Sequence, residues 1–268
     1  SEGQGSVVLR PQRFFDTVLY TGNGTTGQSI TGLEFTPDFV WIKSRSFSNN
    51  HHLFDSVRGV NKILRSSTTD DEDTVTGVMS SFNSGGFTVK EAGGNNATND
   101  DGSTFVAWCW KAGGAPVTNS DGTITSSVSA NIEAGFSIVS YTGNETNNAT
   151  VGHGLGKSPD MVIIKDRVSN TAGNNWYVFH SALASGHYVK LNQTSATAAV
   201  SGTSNGGVGS VTSTTFNFVQ GTTGNNKNVN ENGDNFIAYC WASIPGYSKM
   251  GVYRANGNAN GPYEHTGF

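Results

Sequence analysis

The sequence predicts an all-β fold, built as tandem antiparallel β-sandwiches of jelly-roll type. Three observations carry that expectation. The stretch Phe105-Val106-Ala107-Trp108-Cys109-Trp110-Lys111 returns as Phe236-Ile237-Ala238-Tyr239-Cys240-Trp241-Ala242. Each copy follows a Gly- and Asn-bearing turn and closes a long segment that opens on Tyr-Thr-Gly-Asn, at Tyr20 and at Tyr141. Short apolar runs recur at near-regular spacing with turn chemistry between them, the patterning of a sandwich, and no capped segment of 3.6-residue period is long enough for a helix. Composition agrees: among 268 residues there are 35 Gly and only 13% charged side chains, while 15 Phe, 8 Tyr and 5 Trp supply the large apolar surfaces.

Residues 1–13, with Val7-Val8-Leu9 and Arg10-Pro11, read as a lead-in: a linker or the last strand of something upstream. Residues 14–114 form the first unit. Phe15 to Tyr20 is a strand, Thr21-Gly22-Asn23-Gly24 a turn that tolerates positive φ, and Ile30-Thr31-Gly32-Leu33 leads to Thr36-Pro37-Asp38. Phe39 to Arg45 alternates Val40 and Ile42 on one face with Phe39 and Trp41 on the other. His51 to Asp55, the stretch near Ile63, Phe82 and Phe87-Thr88-Val89 supply further strands before the closing one. Residues 115–134 link the units, with a small hairpin expected around Thr123-Ile124-Thr125.

Residues 135–242 repeat the first unit piece by piece. Phe136 to Tyr141 matches Phe15 to Tyr20, Pro159 to Lys165 matches Pro37 to Lys43, and Asn174 to Ser181 matches Asn49 to Ser56. Phe216 and Phe218 fall where Phe87 and Val89 fall. Residues 243–268 begin what reads as a truncated third unit: Gly251 to Gly257 resembles the opening motif and Pro262 to Phe268 parallels Ile30 to Leu33. Cys109 and Cys240 hold the same place in separate units, so two buried free thiols are expected rather than a disulfide.

Candidate chemistry is sparse. Net charge is −4 with no basic stripe, which disfavours nucleic acid. No run approaches the length of a membrane-spanning helix. His51-His52 is the obvious metal candidate, but adjacent strand residues point to opposite faces, so no metal is expected. Asp55 has His180 as its counterpart, so the units share no carboxylate chemistry there. The acidic loop Asp70, Asp71, Glu72, Asp73 offers oxygens for calcium without the spacing of a calcium loop; a solvated loop is the better reading. Asn99-Asp100-Asp101-Gly102 reads as a hairpin turn, and Gly202 to Gly207 as loop punctuation. Asn-x-Thr triplets at Asn23, Asn96, Asn144, Asn148 and Asn192 follow from composition. No nucleophile elbow, phosphate loop or zinc-spaced cysteine pair occurs, no cofactor is implied, and paired acids for glycoside cleavage have few candidates in the second unit (Glu145, Asp160, Asp166). Loop residues Asn49, Asn50, His51, Asn174, Asn175 and Trp176 are the binding candidates, since amide and aromatic side chains suit sugars.

Taken together, Tyr-Thr-Gly-Asn, Pro37 to Lys43, His52-Leu53-Phe54-Asp55-Ser56-Val57-Arg58-Gly59 and Phe105 to Trp110 resemble a repeated β-domain of tail-fibre-like and other structural proteins of marine and cyanobacterial tailed phages. The first unit matches closely; the second has His180 for Asp55 and lacks the Val-Arg-Gly run. The resemblance implies a non-enzymatic virion surface protein, a tail-fibre or appendage module for host adhesion. Its partners would be other virion proteins, copies of itself, and a host glycan or surface protein. A capsid decoration or head-fibre protein, and a carbohydrate-active enzyme module, are the alternatives.

Overall fold

The structure is a computed structural model that describes residues 10–91, 97–168, 174–200, 206–224 and 226–266. Val7-Val8-Leu9, Asn96 and Gly202 lie outside them. The chain is almost wholly β. Among the described residues the named helical elements are a 3₁₀ turn at Pro11–Arg13 and one short helix, α1 (Lys227–Asn230).

The first unit contains β1 (Phe15–Thr21), β2 (Gln28–Thr31), β3 (Phe39–Ser44), β4 (His52–Asp55), β5 (Lys62–Ile63), β6 (Asp73–Thr74), β7 (Met79–Asn83), β8 (Gly86–Val89) and β9 (Thr104–Trp110). One sheet has the order β1-β9-β3-β4 and the facing one β2-β8-β7, all antiparallel. The second unit contains β10 (Val117–Asn119), β11 (Ser126–Asn131), β12 (Phe136–Thr142), β13 (Thr150–Gly152), β14 (Met161–Asp166), β15 (Tyr177–His180), β16 (His187–Lys190), β17 (Ala198–Ala199), β18 (Gly207–Val211), β19 (Thr215–Val219) and β20 (Asn235–Trp241). Its sheets run β10-β11-β12-β20-β14-β15-β16-β17 and β13-β19-β18.

Strand order and register correspond between the halves. Phe15 opposes Trp110 as Phe136 opposes Trp241, and Val40 opposes Cys109 as Val162 opposes Cys240. Counted from β1 and from β12, the first strand pairs with the last and the second with the last but one, the nesting of a jelly roll. The departure from that topology is local, because the third and fourth strands form a hairpin within one sheet. Residues 115–134 correct the expected linker. A hairpin is there, but its strands are β10 and β11, which flank Thr123-Ile124-Thr125; Ile124 bridges Val151 instead, and β11 hydrogen-bonds to β12 and extends the second unit's large sheet. The described part of 251–268 forms no strand, and Val252, Tyr253 and Tyr263 are exposed. The opening strand of a third unit is therefore not formed there: a strand needs a neighbour for its backbone groups, and none is alongside.

Alternation along the strands creates three cores rather than two. Val40, Ile42, Phe105, Ala107 and Cys109 face the small sheet of the first unit. Val139, Val162, Ile164, Phe216, Phe218, Phe236 and Cys240 do the same in the second. The opposite faces of the two large sheets pack on each other through Phe39, Leu53, Phe136, Ile138, Ile163, Trp176, Tyr239 and Trp241. The molecule is thus a four-layer stack, and its central core joins the units. Each fully buried aromatic there contributes roughly 1.5–3 kcal/mol. The cysteines are free and sit in different outer cores.

Candidate functional site

The repeated motifs are explained first, because most of them are structural. Gly22 and Gly143 bring the chain so close to the last turn that a Cβ would meet Asp100 O at 2.2 Å or Glu231 O at 2.1 Å. Asn23 and Asn99 then clasp each other. Asn99 Nδ2 donates to Asn23 Oδ1 (3.0 Å), and the Asn23 N–H donates to Asn99 Oδ1 (3.1 Å). Asn144 and Asn230 do the same at 3.2 and 2.9 Å. The Tyr20 hydroxyl donates to Thr98 O and that of Tyr141 to Val229 O, at 2.8 and 2.7 Å. Tyr-Thr-Gly-Asn is therefore a latch between the first strand and the approach to the last.

The Pro-Asp pairs close the other end. Asp38 accepts from Ser56 Oγ and the Ala112 N–H, and Asp160 from Ser181 Oγ and the Ser243 N–H. Burial pushes the Asp160 carboxyl up, but the Ser243 and Ser181 donors and Lys157 hold it below its ordinary value.

Asp55 and Arg58, from the His52–Gly59 motif, build a buried polar clamp across the central core. Arg58 Nε donates to Asp55 Oδ2 at 2.5 Å, and its Nη atoms reach Leu53 O, Glu72 Oε2 and, across the unit boundary, the Tyr239 hydroxyl. The Tyr239 O–H donates to Asp55 Oδ2 at 2.7 Å. Glu72 accepts two hydrogen bonds from Arg167 of the second unit, at 2.8 and 2.9 Å. Burial would lower the Arg58 pKa, yet Asp55, Tyr239 and Glu72 hold it above the ordinary value and the guanidinium charged. These groups satisfy one another and leave Asp55 no opening for acid–base work.

One of the solvent-open clefts is aromatic. A cleft of about 470 Å³ lies between the units, lined by Phe15, Trp41, Trp110, Phe136, Met161, Trp241 and others. The segment Tyr247-Ser248-Lys249-Met250 forms one wall. Trp110 and Trp241, which hold equivalent places, meet edge to face across it with centroids 6.0 Å apart. The cleft continues onto the outer face of the first unit's large sheet. There Trp41 meets Trp108 edge to face at 6.4 Å, and Trp41 Nε1–H donates to His51 Nδ1 at 2.8 Å. Trp41, Trp108 and His51 are all partly exposed.

The profile of the domain of unknown function DUF7483 matches residues 10–268. The chain belongs to the DUF7483 family. No curated protein and no solved structure matches it. The family profile takes both sandwiches and the central core in one span, as the layered architecture does.

Within this DUF7483 chain the loop residues chosen from sequence are not one site. Trp176 is fully buried in the central core, with its indole N–H on Arg65 O, which corrects its reading as a surface binding residue. The pattern hid this because a Trp beside an Asn turn looks the same whether another sheet covers it or not. Asn174 and Asn175 turn inward, to Asp166 and to the Asn192 amide. Asn49 donates to Ala97 O, and Asn50 accepts from Ser67 Oγ. His51 alone of the six stands beside the aromatic face, and His52 behind it is buried. The acidic loop is solvated at Asp70, Asp71 and Asp73, of which Asp70 and Asp73 also face Arg65, whereas Glu72 is withdrawn from solvent and shared between Arg58 and Arg167. Trp108 and Trp110 lay in the repeated strand from the start. Their exposure depends on how far the second sheet covers the first, which no local pattern records.

Proposed function

We propose that this chain is a surface module of a tailed-phage particle, a tail-fibre or appendage unit that binds the host cell exterior. The observation that supports it is the aromatic face with its adjoining cleft, set on a scaffold latched at both ends of each sandwich and clamped through the centre. Such a face recognises flat, partly apolar ligands such as sugar rings, because exposed indoles offer large rigid contact area at little entropic cost. Lys249 is the charged side chain of the cleft lining, which suits holding a ligand more than cleaving one. Symmetric assembly would multiply weak contacts into firm attachment.

Two measurements test this reading. Gold-labelled antibody against the chain is expected to decorate the outside of intact particles at the tail appendages. The fluorescent full-length chain is expected to adsorb to host cells. Label confined to the capsid would favour the decoration reading instead, and absence of both signals would end the adhesion reading.

A further inference from the structure

The open half of the first unit's outer sheet face is more specific than an apolar patch. Strand alternation places Thr17 and Leu19 of β1, Val106 and Trp108 of β9, and Trp41 and Lys43 of β3 on it. Their counterparts in the second unit, among them Ile138, Tyr239 and Ile163, are buried in the central core. Here the covering sheet stops short, and Leu19 is 60% exposed.

Two polar groups adjoin the indoles. His51 accepts the Trp41 N–H at Nδ1, so its neutral ring carries the remaining proton on Nε2. Burial, and then the Lys43 ammonium, lower the pKa of His51 and favour that neutral form. Nε2–H makes no hydrogen bond among the described residues. Lys43 donates to Ser44 O at 2.9 Å and keeps two further N–H groups. The side chains that alternation puts on the open half include a cation and no carboxylate, although the chain as a whole carries −4.

We propose that this face binds an acidic saccharide. A pyranose ring lays its C–H face on Trp108 beside Trp41. A ring hydroxyl accepts the His51 Nε2–H, and a carboxylate or sulfate on the sugar pairs with Lys43. The charge of the face selects an anionic ligand, and its aromatic floor with a donor at the edge selects a ring that is apolar on one face and polar at the rim. A lipid chain would leave both polar groups unmatched. The inference rests on the adhesion reading and names its ligand class.

Calorimetric titration of the full-length chain tests it, using an oligogalacturonate, a sulfated galactan oligosaccharide and a neutral cello-oligosaccharide. At least one acidic probe is expected to bind, the neutral one at least tenfold more weakly, and added salt is expected to weaken the acidic probe alone. Trp108→Ala and Lys43→Gln should each weaken the acidic probe tenfold or more, with thermal melts confirming that the variants fold. Trp108→Thr serves if the Ala variant does not. Equal binding of neutral and acidic probes, binding unchanged in either folded variant, or no binding of any probe overturns the inference. Host-cell adsorption of the same preparation separates the two readings. Adsorption without saccharide binding sinks this inference and leaves adhesion standing, whereas loss of both sinks both.

Discussion

Asn99 and Asn230 show how much one side chain carries. Both are fully buried, and each closes hydrogen bonds to the facing Asn and to a Thr carbonyl. Asn99→Ala or Asn230→Ala leaves buried partners unmatched, so each is expected to cost about 1–3 kcal/mol in urea denaturation; a change under a few tenths would refute the latch. Asp166 makes a pH-dependent contribution. It is buried where the first unit has Ser44; burial, and the neighbouring Asp234 carboxyl, raise its pKa to about 7 from an ordinary 3.8. The folded state therefore holds a proton that the unfolded chain releases. Stability is unaffected below the ordinary value, falls as pH rises towards 7, and then levels off. Asp166→Asn should raise the Tm at pH 8 and leave it nearly unchanged near pH 4. Parallel Tm-against-pH curves for the two proteins would rule this out.

At the scale of elements, the paired closing strands β9 and β20 lie inside their sheets, β9 between β1 and β3 and β20 between β12 and β14. The two faces of β20 serve different cores, while the second face of β9 meets the central core at Trp110 and is open at Val106 and Trp108; both strands are therefore apolar or aromatic where a surface sheet would alternate with polar residues. The clamp fixes β4 and the following turn against β20. Arg58→Ala removes the cation from a buried Asp55 and Glu72, and is expected to destabilise by about 3–5 kcal/mol in chemical denaturation. The second unit lacks this Asp–Arg pair because its position 180 is His, and that side of its sheet is covered from across the boundary instead.

For the molecule as a whole, the central core predicts coupled unfolding. A single cooperative transition is expected by calorimetry for the full chain, and residues 10–114 expressed alone should be less stable and self-associate, since Phe39 and Leu53 would be bared. Two resolved transitions, one per unit, would contradict the shared core. The thiols give a second readout. Burial pushes the Cys240 thiol up to about 12 and raises the Cys109 thiol as well. Neither should react with a thiol reagent in the native protein, and both should react after unfolding without reductant; protection that persists after unfolding would indicate a disulfide.

The repeated closing strand, the turn residues and the two-residue alternation of Phe39-Val40-Trp41-Ile42 were enough by themselves to specify an all-β chain of two sandwiches with separated cysteines, because strand geometry is a local property. They also marked Tyr-Thr-Gly-Asn and Pro-Asp as special without saying why, since the partners of Gly22, Asn23 and Asp38 lie some seventy residues away. Only the tertiary structure decided that the second faces of the large sheets meet, that Trp176 is buried while Trp108 is partly exposed, and that Glu72 of the acidic loop is shared between two arginines. Those outcomes turn on how one sheet overlaps another, and an aromatic side chain reads identically in sequence whether its neighbour is a second sheet or water.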